Sequence, residues 1–83
     1  MSVVPTHILV VEDLEIFRKT IVEILVQEGF AVDEAGSGEQ ALAKLRETVY
    51  DVLVTDLMLP DATGLEVLQE AIGRFPDIVT IVM

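Results

Sequence analysis

The chain has 83 residues, and its 15 acidic side chains against 5 basic ones give a formal net charge of −10. That length allows one small domain, and 52% apolar residues with a mean hydropathy of +0.57 are too hydrophobic for a disordered acidic tail. The field of so acidic a surface excludes nucleic acid and anionic membrane as direct partners. The longest run free of charged residues, 1–11, falls short of the roughly 18 residues that a membrane-spanning helix needs, and it has neither the basic start nor the cleavage site of a secretory signal. With no Cys there is no disulfide framework, which suits a cytoplasmic protein.

From the amino terminus, Ile8, Leu9, Val10 and Val11 form a buried-strand run after Pro5. Residues 14–28 then place Leu14, Phe17, Ile21, Ile24 and Leu25 at helical spacing, with Gly29 as the left-handed residue that ends the helix. A second strand is expected over 31–35. Ser37 and Gln40 read as the capping box of a second helix reaching about residue 48, with Ala41, Leu42 and Leu45 inward. Residues 51–56 form a strand whose Val/Leu run suits the middle of a parallel sheet. Residues 59–64, with Pro60 and Gly64, break the pattern as a loop. A third helix follows over 65–75, with Leu65, Leu68, Ala71, Ile72 and Phe75 on one stripe, and Pro76 stops it before a last strand over 78–83. The order β-α-β-α-β-α-β with short links implies an α/β fold, a parallel sheet with helices on both faces.

In such sheets ligands bind at the carboxyl ends of the strands. The first strand ends in Glu12 and Asp13 and the third in Asp56, so neighbouring positions for these strands would bring three carboxylates together. At about 5 Å and an effective dielectric near 20, each pair of charges repels by about 3 kcal/mol, which calls for a cation. Mg²⁺ fits, since it takes oxygen ligands and commonly combines one or two carboxylates with phosphoryl oxygens. An Asp carboxylate can also be the nucleophile that forms an acyl phosphate.

Leu9-Val10-Val11-Glu12-Asp13, followed by Asp56, Met58, Pro60 and Gly64, resembles the motif set of bacterial response regulator receiver domains, over residues 7–83 and including the segment 36–42. The resemblance implies a flavodoxin-like three-layer sheet of order 2-1-3-4-5 and a place in two-component phosphorelay signal transduction. By the same resemblance, Asp56 is the phosphoacceptor, and the donor is a histidine kinase or a histidine phosphotransfer protein. Glu12 and Asp13 look like the pair that holds Mg²⁺, joined by Asp56 and the main-chain oxygen of Met58. The family pattern continues beyond residue 83 with a switch Ser/Thr and a Lys, so residues 1–83 read as the N-terminal two thirds of a receiver. Arg18, Lys19, Lys44, Arg46 and Arg74 fall on predicted helices away from the strand ends, and none takes the place of that Lys.

Two other readings compete. An aspartyl-phosphate enzyme of the haloacid-dehalogenase type wants a second Asp two residues after the nucleophile, where this chain has Met58, so the chain is expected not to be an enzyme. The alternative is a truncated, switch-incompetent receiver fragment that acts only in interaction or oligomerisation. His7, at the far end of the first strand from the carboxylates, reads as a surface residue, and Gly36 and Gly38 as turn glycines. Asp13 could also cap the first helix. The last strand carries no charge and no Pro, so its edge is open to pairing, and Phe17, Ile21 and Ile24 are expected to be partly uncovered. Both features predict a homodimer or higher assembly.

Overall fold

The computed structural model describes residues 4–61 and 63–83. Its elements are β1 (His7–Val11), α1 (Glu15–Gln27), β2 (Ala31–Ala35), α2 (Gly38–Glu47), β3 (Val52–Thr55), α3 (Gly64–Arg74) and β4 (Val79–Val82). All strand pairs are parallel and the sheet order is β2-β1-β3-β4, which is the expected class and topology. Among the described residues no helix is long and apolar enough to cross a membrane.

Alternation along β1 and β3 separates two cores. Leu9, Val11 and Leu53 join Ala35, Ala41, Leu45, Tyr50, Val67 and Ala71 in a fully enclosed cluster under α2 and α3. Ile8, Val10 and Val54 face the other way, where Ile21, Val22 and Leu25 of α1 lie partly buried against them.

Phe17, Ile21 and Ile24 are left partly uncovered as expected, while the residues that pack differ from the predicted stripes. The inner face of α1 is Ile21, Val22 and Leu25, while Leu14, Phe17 and Ile24 are more than half exposed and no α1 residue is fully buried. On α3, Val67 and Ala71 are buried, Leu68 and Phe75 are partly buried, and Leu65 and Ile72 face outward. In both helices an apolar face wider than the one that packs leaves the rotation to tertiary contact.

Caps fix the helix starts on the sheet. Ser37 Oγ accepts the Gln40 N–H at 3.1 Å, as the capping box requires, and Gln40 Oε1 accepts from the Gly36 N–H at 2.9 Å, one residue before the cap. Thr63 Oγ1 accepts the Glu66 N–H to start α3. For α1 the N-cap is Leu14, with no side-chain cap, so Asp13 does not serve that role. Gly29, at φ +93°, ends α1 in the left-handed region as anticipated.

Candidate metal and phosphoacceptor site

Register brings the acidic residues together. Val11 pairs with Thr55, so Glu12 and Asp56 are the next residues on adjacent strands and leave the sheet side by side at its carboxyl edge. One oxygen from each of Glu12, Asp13 and Asp56 lies within 4.8 Å of the others. Glu12 is buried, Asp56 half-buried and Asp13 exposed, so the cluster opens to solvent on one side. Burial pushes the Glu12 carboxyl above its ordinary value, and the negative charges of Asp13 and Asp56 push it further. This is a site built of hard oxygen donors whose mutual repulsion outweighs the nearby Arg18 charge, which matches the preference of Mg²⁺ and not of a thiophilic metal.

Asp56 Oδ1 accepts the Met58 N–H at 3.0 Å, so Met58 meets the site through its main chain while its side chain is exposed. Gly64, where α3 begins, sits directly under this turn. Its N–H donates to the Leu57 carbonyl at 2.7 Å, and a Cβ there would collide with the Asp56 carbonyl and the Leu57 Cα. No side chain larger than hydrogen fits, which is the physical reason for glycine at this place in the motif. A cleft of about 300 Å³ lined by Glu12, Phe17, Thr20, Ile21, Asp56 and Met83 runs from the carboxylates along α1.

Two basic residues of α1 reach further than expected, since Lys19 Nζ lies 2.9 Å from Glu34 Oε1 near the end of β2 and Arg18 extends to the same oxygen. Arg18 lies on α1, yet its side chain reaches the strand ends, where Nη1 donates to the Glu12 main-chain oxygen at 2.9 Å and Nε donates to Glu34 Oε1 at 2.8 Å. A side chain this long carries its charge well beyond the helix that bears it, which helix assignment alone does not show. Arg46 and Arg74 instead share Glu70 on the outer surface.

His7 is not a free surface residue either. Its Nε2 lies 3.0 Å from Asp33 Oδ2, the same oxygen that accepts the Tyr50 O–H at 2.6 Å, and the His7 and Tyr50 rings are 4.6 Å apart. The Tyr50 hydroxyl and then His7 hold the Asp33 carboxyl below its ordinary value, and burial followed by Asp33 pushes the Tyr50 hydroxyl up. His7 lies at the other end of β1, about 16 Å of strand from Glu12, Asp33 lies level with Leu9, and among the described residues no contact joins this group to the acidic site.

Residues 8–83 match the family model described as response regulator receiver domain. The chain belongs to this family. A relative, the transcriptional regulatory protein ResD of Bacillus subtilis, is 42% identical over 65 residues, which are 78% of this chain and 27% of that protein. The aerobic respiration control sensor protein ArcB of Escherichia coli is 36% identical over 70 residues, 84% of this chain and 9% of that protein. Among solved structures, the response regulator TrrA of Thermotoga maritima, in complex with Mg(2+)-BeF, superposes with a TM-score of 0.85 at 36% identity, covering 93% of this chain and 67% of that one. A CheY-like receiver protein from Methanospirillum hungatei gives a TM-score of 0.91 at 29% identity, covering 95% and 63%. The receiver chain spans about a third of the length of the curated regulators that it matches.

Proposed function

We propose that this receiver accepts a phosphoryl group on Asp56 from the phosphohistidine of a histidine kinase or a histidine phosphotransfer protein, in the cytoplasm. The observation that carries the reading is the convergence of Glu12, Asp13 and Asp56 within 4.8 Å at the carboxyl edge of a receiver sheet. The Met58 N–H donates to Asp56 Oδ1 and orients the carboxylate, and one of its oxygens is the attacking atom. It forms the new bond to phosphorus as the bond from phosphorus to the imidazole nitrogen breaks, and that nitrogen keeps the electron pair. Glu12, Asp13, Asp56 and the Met58 main-chain oxygen would hold Mg²⁺, which supplies positive charge against the transferred oxygens. The Mg(2+)-BeF complex of the Thermotoga maritima relative supports that ion. In this reading the chain is an acceptor and not an enzyme turning over a free substrate.

Two measurements test it. Millimolar Mg²⁺ at constant ionic strength should raise the melting temperature, since a ligand of the folded state stabilises it, and Asp13→Asn should weaken the response. In mass spectrometry after incubation with acetyl phosphate, labelling is expected to be slow, and any phosphoryl group acquired should require Mg²⁺ and disappear in Asp56→Asn. Labelling that persists in Asp56→Asn would sink the assignment.

A separate observation favours self-association as well. Val79 and Ile81 are paired with Val52 and Val54 and so face the α1 side, yet they are 57% and 50% exposed, and Phe17 and Met83, which line one cleft at the carboxyl edge, are exposed as well. Covering this surface with a second copy would bury apolar area at about 25 cal/mol per Å². Light scattering at micromolar concentration should then show a dimer or larger species that grows with salt, because the charge of −10 on each copy opposes contact. A monodisperse monomer at all salt concentrations would remove this part of the reading.

A further inference from the structure

The acidic site is carried by two separate turns, one after β1 with Glu12 and Asp13 and one after β3 with Asp56. Both are tied to a third segment that supplies no oxygen to the cluster, the stretch from the end of β2 to the first turn of α2. On one side the Glu12 N–H donates to the Ala35 carbonyl at 3.1 Å, while the Glu12 carbonyl accepts from Arg18 Nη1 at 2.9 Å. The same guanidinium is anchored at the end of β2 by Glu34, and Gly36 leaves room for it, since a Cβ there would come within 3.0 Å of Nη1. On the other side Asp61, five residues past Asp56, accepts the Gly38 N–H on Oδ1 and the Glu39 N–H on Oδ2, each at 2.9 Å. These amides belong to the first turn of α2, where N–H groups have no partner within the helix and carry the positive end of its dipole.

We propose that Arg18 and Asp61 are positioning residues that set the spacing between the Glu12–Asp13 pair and Asp56, Arg18 by fastening the first turn to the end of β2 and Asp61 by fastening the second to the start of α2. The inference rests on the metal-site reading above and deepens it by naming what holds the donors in register. The Arg18 bond to the Glu12 carbonyl and the two Asp61 bonds to the Gly38 and Glu39 amides are charge-assisted hydrogen bonds to main chain, stronger and more directional than neutral ones, and the Arg18–Glu34 ion pair ties the guanidinium to β2 through a side chain. The anchor is itself stiff, closed by the Ser37 and Gln40 caps. Mg²⁺ tolerates little departure from octahedral oxygen geometry, so slack of a few tenths of an ångström between the two turns lowers its affinity.

The test uses the 83-residue chain with Arg18→Gln, Asp61→Ala and their combination. In metal-free ¹⁵N spectra, Asp61→Ala should shift the amides of Glu12 and Asp13, and Arg18→Gln those of Asp56 and Met58, although Asp61 bonds to neither Glu12 nor Asp13 and Arg18 to neither Asp56 nor Met58. Changes confined to the direct partners of the substituted side chain would overturn the proposal. Titration with Mg²⁺, at a temperature where every variant is folded, should show each single variant binding about tenfold more weakly. The double variant should lose no more than about a further twofold, because spacing once loosened is not lost twice. Unchanged affinity, or losses that multiply, would contradict shared positioning. Asp61→Asn keeps an acceptor and should recover part of the affinity, which a mere stability defect would not predict. If Asp13→Asn leaves Mg²⁺ binding untouched, the metal reading fails, and the metal-free amide shifts alone then decide the positioning.

Discussion

The two faces of the sheet are built from the same kinds of residue and end in opposite states. Under α2 and α3, Leu9, Leu53, Leu45 and Val67 are sealed from water, whereas on the α1 side Ile21 and Leu25 are only partly covered and Val79 and Ile81 stand open. The reason is geometric. Four strands about 4.8 Å apart span roughly 14 Å between the outer axes, and a helix is about 10 Å across, so two helices roof the sheet and one does not. The acidic site sits at the seam, with Gly64 under it from the sealed side and the cleft beside Phe17 and Ile21 opening on the other.

The largest difference between the faces should appear on truncation. Leu53→Ala or Leu45→Ala is expected to cost about 3 to 4 kcal/mol, because a cavity in a closed core cannot collapse. Ile81→Ala or Ile24→Ala should cost under about 1 kcal/mol, since water already reaches those side chains. Chemical denaturation measures both, and equal losses would show that the open face is buried in solution by some other contact.

Gly64→Ala comes next, at about 2 to 3 kcal/mol, because the added methyl drives α3 away from the Asp56 turn and opens the sealed side from its end. Mg²⁺ binding should weaken in the same variant, and a fully stable protein with unchanged Mg²⁺ response would refute the close approach.

Tyr50→Phe should cost about 1 kcal/mol by removing the hydroxyl that Asp33 accepts within the sealed face. The pH dependence gives it a signature. Asp33 has a native pKa below its ordinary 3.8, so its contribution is in place above that pH and is lost as the pH falls through the depressed native value. Stability measured from pH 5 down to pH 2 should therefore fall less steeply in Tyr50→Phe than in the parent, and parallel curves would mean that the hydroxyl does not set the Asp33 pKa.

Phe17→Ser should be the smallest effect, within about 0.5 kcal/mol for the monomer, as expected of an exposed site. Its consequence belongs to association, where light scattering should show the larger species diminished. An unaltered assembly would place the contact elsewhere than the α1 side.

Much of this architecture was legible from residue pattern. The runs Ile8 to Val11 and Val52 to Thr55, the Ser37 cap and the left-handed Gly29 are local signals, decided by side-chain periodicity and backbone sterics within a few residues. The pairing of Glu12 and Asp13 with Asp56 was legible for the same reason, because acidic residues at the ends of two apolar strands meet whenever those strands are neighbours in a parallel sheet. Which side of α1 packs was not, since Leu14, Phe17, Ile21, Ile24 and Leu25 offer more apolar surface than one contact can bury and rotation about the helix axis is a collective outcome. Nor were the reach of Arg18 to the Glu12 carbonyl, the seat of Asp61 on α2, or the sharing of Asp33 between His7 and Tyr50. These contacts join residues brought together by strand order and crossover packing, and a long or charged side chain leaves no periodic trace of the distant backbone group it binds.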